Sequence, residues 1–380
     1  MKYFVASLPP VEDILPVDLT IHIRRHNAVQ YHVYVKHKKW SKPKSCIAEG
    51  KFGDFEELRS KLLSSIKTLI GENIDRNLYQ VARYGYAILT KLFPDKELLK
   101  SVLDILNEEG SVKSVSFVAD EFFMPWELLY TRYPTEKEVS VEDFLGSRHI
   151  ISRIEKPVKK QSGPVRNGLL MAETIKFSNR PKLALLPNKE LNGVSTIEIP
   201  FFNQMHDRKK IVLHKIRDLE EDKFDEGFRI FLDFIGKDYH VIHFACHTKY
   251  DGFDSFFNLY KNFNVTILDL DFEDFEIKSS SLIFFNTCES GILDAQSSFS
   301  LASKFQEYGA IGVIGTLSEI DDDLAADFSG QLYSKFLAGK TVGASILEVR
   351  KEFAKKGIMD THLYALYGRA GISLKKINDN

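Results

Sequence analysis

Two short apolar segments decide the fold: residues 240–247 read HVIHFACH and residues 281–288 read SLIFFNTC. The first is followed by the polar segment TKYDG and the second by ESG. Apolar runs of this length, bounded by polar and glycine residues, are typical of strands buried on both faces of a parallel sheet. In open parallel sheets, functional sites lie just beyond the carboxyl ends of the strands. The sequence therefore places a candidate base, His247, and a candidate nucleophile, Cys288, at one edge of a sheet.

The composition is that of an ordinary globular protein, and its 380 residues predict two or three domains. The net charge of -2 gives no electrostatic argument for binding nucleic acid or a membrane. Three cysteines cannot form a disulfide framework, and their odd number fits a reducing compartment. No apolar run approaches the roughly 18 residues of a membrane helix, and an early proline pair argues against a secretory signal. We therefore expect a cytoplasmic protein.

The first part of the chain combines sheet and helix patterns. Alternating apolar and polar side chains at residues 17–21 and 31–35 predict a hairpin of half-buried strands. Apolar residues then recur at helical spacing behind Asp54, the candidate N-cap of a first helix. A second helix and a strand over residues 112–118 follow. Trp126 lies in an apolar segment, where a core position is a more common role than part of a ligand cage.

A polar segment divides the chain. Residues 156–166, KPVKKQSGPVR, carry two prolines and a glycine without apolar periodicity, which predicts a linker between domains at 1–155 and 167–380. Beyond the linker, strand and helix patterns alternate, as in a parallel α/β sheet. An insert over residues 253–278 interrupts this alternation and is predicted to contain a hairpin arm. The predicted strands of the second domain are residues 168–172, 209–215, 240–245, 282–286, 310–315 and 363–367.

Five motifs together resemble the CHAT family, the caspase-like peptidases related to caspases and separase. The motifs are PWELLY (125–130), FACH (244–247), NTCESG (286–291), GTL (315–317) and LYG (366–368). They follow the family's order over roughly residues 76–375. The resemblance implies an α/β protein with a caspase-like three-layer α/β/α fold and a mostly parallel sheet. It also implies a degenerate caspase-like α+β N-terminal half, which we expect to be inert and regulatory because no cysteine is predicted near its strands.

The resemblance also assigns roles to residues at the carboxyl edge of the sheet. It implies that His247 is the base and Cys288 the nucleophile of a cysteine endopeptidase. The oxyanion would be bound by the backbone N–H groups of Cys288 and Thr248. Thr248 stands where the family motif usually has glycine. Because threonine resists positive φ, we expect the turn here to differ from the family's.

Acidic residues near the candidate nucleophile have two interpretations each. Glu289 could line the substrate pocket or hold its own loop. Asp321 and Asp322 follow the GTL motif, where related folds build the pocket for the residue before the scissile bond, and an acidic pocket would select Arg or Lys. The alternative, which we favour, is that one aspartate caps the following helix and its neighbours stabilise the positive end of that helix.

A zinc site and a purely structural role compete with catalysis. His243, Cys246, His247 and Cys288 could bind zinc, but neighbouring residues on a strand face opposite sides and no paired-cysteine spacing is present. Free cysteine is often a small buried core residue, which is the interpretation we favour for Cys246. We expect no metal and no cofactor.

The resemblance further implies a bacterial or archaeal origin and a role in antiviral defence or programmed cell death. We expect a protein substrate and an activating partner protein, without nucleic acid or membrane. The alternative is an inactive caspase-like scaffold that binds a partner through the same cleft. Thr248 and Ser318, which differ from the family motif, keep this alternative open.

Overall fold

Strands from both halves of the chain build the sheet. The computed structural model describes residues 17–27, 29–50, 52–67, 74–119, 122–155, 174–216, 224–250, 255–260, 263–273, 275–277, 279–287 and 301–377. The strands in these residues are β1 (Leu19–Asn27), β2 (Gln30–His37), β3 (Lys44–Glu49), β4 (Ser114–Ala119), β5 (Ile150–Glu155), β6 (Thr174–Phe177), β7 (Lys182–Pro187), β8 (Val212–Lys215), β9 (Val241–Ala245), β10 (His247–Tyr250), β11 (Ser255–Tyr260), β12 (Phe263–Thr266), β13 (Leu282–Asn286), β14 (Gly312–Thr316), β15 (Tyr364–Gly368) and β16 (Ser373–Lys376). The α-helices are α1 (Phe52–Lys67), α2 (Ile74–Leu92), α3 (Lys96–Leu106), α4 (Leu145–Arg148), α5 (Ile199–Asp207), α6 (Phe224–Ile235), α7 (Ile267–Phe272), α8 (Leu301–Glu307), α9 (Asp322–Phe336) and α10 (Val342–Ala354).

Within the described residues, eleven strands form one mixed sheet, ordered β3-β2-β1-β4-β5-β15-β14-β13-β9-β7-β8. Strands β8, β7, β9, β13 and β14 run parallel to one another, whereas β15 runs antiparallel to β14. Strands β10, β11 and β12 form a separate three-stranded arm, and β6 pairs with β16. This confirms the predicted α/β class with a mostly parallel sheet, and it confirms the hairpin arm in the insert.

Both faces of the parallel part of the sheet are buried. Along β13, Ile283 and Phe285 belong to one apolar core, whereas Leu282 and Phe284 belong to another. Helices α6 and α8 contribute to the first core, and helices α9 and α10 contribute to the second. The continuous apolar pattern of the strand follows from this arrangement, because a parallel strand covered on both faces has no solvent side. The layers are therefore helix, sheet and helix.

The apolar runs located the strands beyond the predicted linker well. Strand β13 has the predicted bounds, and β8, β9, β14 and β15 lie within two residues of the predicted bounds except for the start of β8. Strands β3, β5, β6, β7 and β16 and helix α3 were not predicted. Pro181 precedes β7, and Pro187 is its last residue. Because prolines usually interrupt strands, the sequence did not indicate this one. Pro187 is tolerated because the last residue of the strand needs no N–H for pairing. The predicted strand at 168–172 and the linker at 156–166 lie outside the described residues.

Two expectations for the N-terminal half were wrong. Helix α1 begins at Phe52, so Asp54 lies in its first turn instead of capping it, where its charge still favours the positive end of the helix. Cys46 lies in β3, so this half does carry a cysteine in a strand. Burial and the nearby charge of Asp95 raise the pKa of the Cys46 thiol to about 11. This thiol is therefore protonated at neutral pH and unreactive as a nucleophile.

The two halves meet at β5 and β15, where Arg153 pairs with Tyr367 in the sheet. Arg153 Nη1 donates to Glu127 Oε1 at 2.6 Å, and Arg350 Nη2 of α10 lies 3.3 Å from the same oxygen. Glu127, Arg153 and Arg350 are each at most 2% exposed. Trp126, next to this cluster, is buried and stacks on Phe117, as expected of a core residue. One carboxylate is thus the shared counter-charge of two buried cations at the junction.

We expect Glu127→Gln to destabilise the protein by about 3–5 kcal/mol, because it leaves two buried guanidinium groups without a counter-charge. The measurement is the free energy of unfolding in urea. Asp238→Asn is the matched control, since Asp238 forms an exposed pair with Lys182 at 3.4 Å, and its effect should stay within about 1 kcal/mol. Equal and small effects of the two substitutions would contradict a supporting role for Glu127.

None of the helices in the described residues has the length and apolar composition required to cross a bilayer.

Candidate active site

The candidate site lies where the carboxyl ends of four parallel strands meet. Strand β9 ends at Ala245, β13 at Asn286 and β14 at Thr316. Asn188 follows the end of β7, and its backbone N–H donates to the carbonyl of Ala245 at 2.7 Å. Since β7, β9, β13 and β14 are mutually parallel, these ends lie at one edge of the sheet. This is the edge at which the sequence predicted the site.

His247 is the first residue of the arm, because β10 begins there two residues after β9 ends. Its side chain is exposed. The arm is tied to the main sheet by Asn188, whose Nδ2 donates to Asn258 Oδ1 at 2.9 Å, and Asn258 is paired with His247 in the β10–β11 ladder. Asn188 was not recognised in the sequence, since only its position after an unpredicted strand gives it a role.

Thr248 connects the arm to the end of β13. Its Oγ1 donates to Thr287 Oγ1 at 3.2 Å, and both side chains are buried. The carbonyl of Thr287 accepts a hydrogen bond from Thr316 Oγ1 at the end of β14. The segment after His247 is therefore bonded to the residue that immediately precedes position 288. This contact joins the two sequence motifs in space.

The backbone at Thr248 is extended. Thr248 lies in β10 and pairs with Phe257 of β11. Among the described residues, Lys209 is the one non-glycine residue with positive φ, at 57°. Extended backbone suits a β-branched residue, so threonine at this position is under no backbone strain. That the turn here differs from the family's stays a prediction.

Cys288 and Glu289 lie outside the described residues. The roles predicted for them, and the roles of the Cys288 and Thr248 N–H groups in binding an oxyanion, stay predictions. Cys246 is 1% exposed within an apolar core, as the sequence indicated.

Asp321 and Asp322 begin α9 at the same edge of the sheet. The Asp321 carboxylate accepts from the N–H of Leu324 at 3.1 Å, which confirms that it caps the helix. Asp322 Oδ2 accepts from the N–H of Gly193 at 2.7 Å. Burial raises the pKa of Asp322, and the charges of Glu198 and Asp323 raise it further, whereas Gly193 and His247 lower it.

A buried polar cluster lies beneath this edge. His243 Nε2 lies 3.1 Å from Glu198 Oε1, and His243 Nδ1 lies 3.1 Å from the hydroxyl of Tyr333. All of His243 and Glu198 is buried. Because both ring nitrogens are in hydrogen bonds, His243 is not available as a metal ligand, which removes one of the four residues of the zinc alternative. In the part of the chain that the structure describes, no three His, Cys, Asp or Glu side chains gather as a metal site would require.

Glu198 was not predicted from the sequence. Its one local signal is a carboxylate between two isoleucines, which is also common on amphipathic helices. Its partners lie 45 and 88 residues away.

The fold is similar to that of solved caspase-like cysteine peptidases. The separase–securin complex of Saccharomyces cerevisiae, solved at 2.6 Å, contains a chain that aligns with TM-score 0.54 and 12% identity over 94% of this chain. A second structure of that complex, at 3.0 Å, gives TM-score 0.55 at 12% identity over the same share. This chain spans 30% of the length of the chain it matches in those structures. The Arg-specific cysteine proteinase gingipain R aligns with TM-score 0.46 at 11% identity, over 74% of this chain and 69% of its own.

The two separase alignments and the sheet order show a caspase-like α/β fold. Residues 92–367, well over half of the sequence, match the model of the CHAT domain. The chain belongs to the CHAT domain family, as its motifs indicated. No curated protein matches it significantly in sequence.

We expect an alkylating reagent at pH 7 to modify Cys288 at least about a hundredfold faster than Cys46, whose raised pKa leaves almost no thiolate. Buried Cys246 should also be slow. Peptide mass spectrometry after short exposure measures the three rates. Unfolded protein, in which the three thiols should react alike, is the control. His247→Ala should slow Cys288 about tenfold, and an unchanged rate would separate His247 from the thiol.

Proposed function

We propose that this protein is a cysteine endopeptidase in which His247 is the general base and Cys288 the nucleophile. The observation that carries this proposal is the hydrogen bond between Thr248 and Thr287. Each of these residues is the immediate chain neighbour of one member of the proposed dyad. The family membership and the caspase-like fold support peptidase chemistry at this edge of the sheet.

The proposed reaction has two stages. His247 accepts the thiol proton of Cys288, and the thiolate attacks the carbonyl carbon of a peptide bond, forming a C–S bond as the carbonyl electrons move to oxygen. The tetrahedral intermediate collapses, the C–N bond breaks, and the imidazolium of His247 protonates the leaving amine. Water, deprotonated by His247, then hydrolyses the thioester and releases the acid product and the thiol. No cofactor or metal takes part in these steps.

The developing oxyanion requires preorganised donors. In the proposal these donors are the backbone N–H groups of Thr248 and Cys288. The strand conformation of Thr248 and the bond of its side chain to Thr287 would fix the first donor before substrate binds. Such fixation is favourable because a donor that is already oriented costs no reorganisation during the reaction.

We propose that Asp322, with Glu289 and Asp321, forms an acidic pocket that accepts Arg or Lys before the scissile bond. Asp321 caps α9 and contributes its charge from that position. Asp322 is half-buried and begins α9, the helix that follows the carboxyl end of β14, which supports a position beside the proposed dyad. Gingipain R is described as Arg-specific. The pocket assignment for this chain, however, depends on Asp322 and its neighbours.

The biological proposal is cleavage of a specific protein partner in bacterial or archaeal antiviral defence or programmed cell death, in the cytoplasm and under control of an activating partner protein. The solved separase is bound to a protein, securin, which supports control by a protein partner. In the alternative proposal, the same cleft binds a partner without cleaving it. The buried position of Ser318, where the family motif often has an aromatic residue, favours a differently shaped cleft and keeps this alternative.

The test compares the wild-type protein with Cys288→Ala on a library of unfolded protein substrates, with and without lysate fractions that could supply an activator. Cleavage should be lost in Cys288→Ala, since the remaining groups provide no nucleophile. Cys246→Ala is the matched control and should cleave as the wild type does. Equal cleavage by wild type and Cys288→Ala would refute the peptidase. Binding of the same partner by both, without cleavage by either, would support the scaffold.

The pocket is tested by Asp322→Asn, which keeps an oxygen to accept the Gly193 N–H but removes the charge. We expect the preference for a basic residue over a neutral one, measured as the ratio of kcat/KM values, to fall about tenfold. Because the pKa of Asp322 is raised, the preference should also weaken on acidification at a higher pH than for an ordinary aspartate. Asp323→Asn, an exposed neighbour, is the control. An unchanged ratio in Asp322→Asn would exclude the pocket.

A further inference from the structure

Glu198 is the last residue of a five-residue π-helix, Val194–Glu198, which continues directly into α5. Such helices are rare; they occur mostly as single turns within α-helices and are frequent at functional sites. Pro200 follows in the first turn of α5, and because it has no backbone N–H it cannot continue the helical hydrogen-bond pattern at that point. Glu198 itself is completely buried. A buried carboxylate is costly unless donors compensate for its lost hydration, so the partners of Glu198 are informative.

Two side chains donate to one oxygen of Glu198. Asn286 Nδ2 donates to Oε1 at 2.7 Å, and His243 Nε2 lies 3.1 Å from the same atom. The hydroxyl of Tyr333 lies 3.1 Å from His243 Nδ1 and is fully buried, and burial together with Glu198 raises its pKa well above the usual value. A carboxylate oxygen only accepts hydrogen bonds, so His243 donates from Nε2 to Glu198 Oε1. With the proton on Nε2, Nδ1 accepts from the hydroxyl of Tyr333.

Asn286 uses its whole amide group at the end of β13. Besides Glu198, its Nδ2 donates to the carbonyl of Ala325 in α9 at 3.1 Å. Its Oδ1 accepts from the hydroxyl of Tyr364 in β15 at 2.5 Å. A rotated amide would turn its oxygen toward the Glu198 carboxylate, so one orientation is fixed. The end of β13, one residue before Thr287, is thus bonded to the π-helix, to α9 and to β15.

The same π-helix packs closely on the first turn of α9. A Cβ atom at Gly193 would lie 2.4 Å from the carbonyl oxygen of Asp322, so only glycine allows this approach. Because the backbones approach so closely, the N–H of Gly193 donates to the Asp322 carboxylate at 2.7 Å. One short helix therefore contacts the strand that leads to position 288 and the aspartate of the candidate pocket.

We propose that Glu198 is a positioning residue that, through Asn286, fixes the end of β13 relative to the first turn of α9. Resting on the proposed function, this makes Glu198 the group that holds the approach to the nucleophile in register with the substrate pocket. The residue touches no substrate. Its effect is on the placement of Asn286 and Thr287.

The test moves the negative charge from residue 198 to residue 286 by combining two substitutions. Asn286→Asp places two carboxylates at the 2.7 Å contact, and it should reduce kcat at least about a hundredfold. Glu198→Gln keeps an acceptor without the charge and should reduce kcat about tenfold, with KM within about twofold. In the double variant, the introduced glutamine amide can donate to the introduced aspartate, and the imidazole of His243 can change tautomer to match. The double variant should recover at least about tenfold over Asn286→Asp, although not fully, since an aspartate cannot donate to Ala325.

Tyr333→Phe is the matched control, because it removes a hydrogen bond from the same buried cluster without touching Asn286. It should lower stability but leave kcat per folded molecule unchanged. Hydrogen exchange of the amides in residues 282–287 provides a readout that does not depend on catalysis. Exchange there should increase in Asn286→Asp, return toward wild type in the double variant, and stay at the wild-type level in Tyr333→Phe.

The outcomes separate the two proposals. If exchange in β13 does not respond to Asn286→Asp, or if the double variant recovers neither exchange nor kcat, Glu198 is only a structural group and the positioning role is overturned. If exchange follows the expected pattern while the wild-type protein cleaves nothing that Cys288→Ala leaves intact, the positioning of β13 stands and the peptidase assignment fails.

Discussion

The carboxylate of Glu127 bonds to Arg153 and Arg350 where two neighbouring strands of the large sheet, β5 and β15, have the shortest backbone pairing. The register of β5 with β15 is one residue pair, Arg153 with Tyr367, whereas the other neighbours in the sheet pair over several residues. Burial lowers the pKa of Arg350 to about 10, and Glu127 opposes this shift. Arg350 also donates to the carbonyl of Tyr364, the residue whose hydroxyl group bonds Asn286. Ionic hydrogen bonds between Glu127, Arg153 and Arg350 therefore connect β5 with the part of the sheet around β15, where few backbone hydrogen bonds do so.

The sequence predicted the parallel part of the sheet because its signal is local. A strand covered on both faces must be apolar at nearly every position, and β9 and β13 are buried over five consecutive residues. The same argument located the edge at which His247 lies. The hairpin β1–β2 was equally predictable from the sequence. Because one face of it is buried, apolar and polar side chains alternate along both strands. Strand β7 was not predicted, because prolines near a segment usually interrupt a strand. Here Pro187 is simply the last residue of the strand.

The contacts that organise the candidate site have no local signal. Glu198 and Asn286 are 88 residues apart, and Thr248 and Thr287 are 39 apart. A polar side chain in an apolar segment is compatible with solvent, a cap or a buried partner, and only the tertiary structure selects among them. The aspartates at α9 show the same limit. Capping by Asp321 follows from local pattern, whereas the approach of Asp322 to Gly193 depends on the π-helix, which has no recognisable sequence pattern.

Thr248 carries a consequence for how relatives of this chain are recognised. A search pattern that requires glycine after the histidine would reject this sequence, because Thr248 stands at that position. Glycine offers a flexible backbone there and nothing else. Threonine offers a stiff, extended backbone and a hydroxyl group that bonds Thr287 across the edge of the sheet. In this chain a side-chain bond across the edge of the sheet therefore fixes a position that glycine would leave conformationally free.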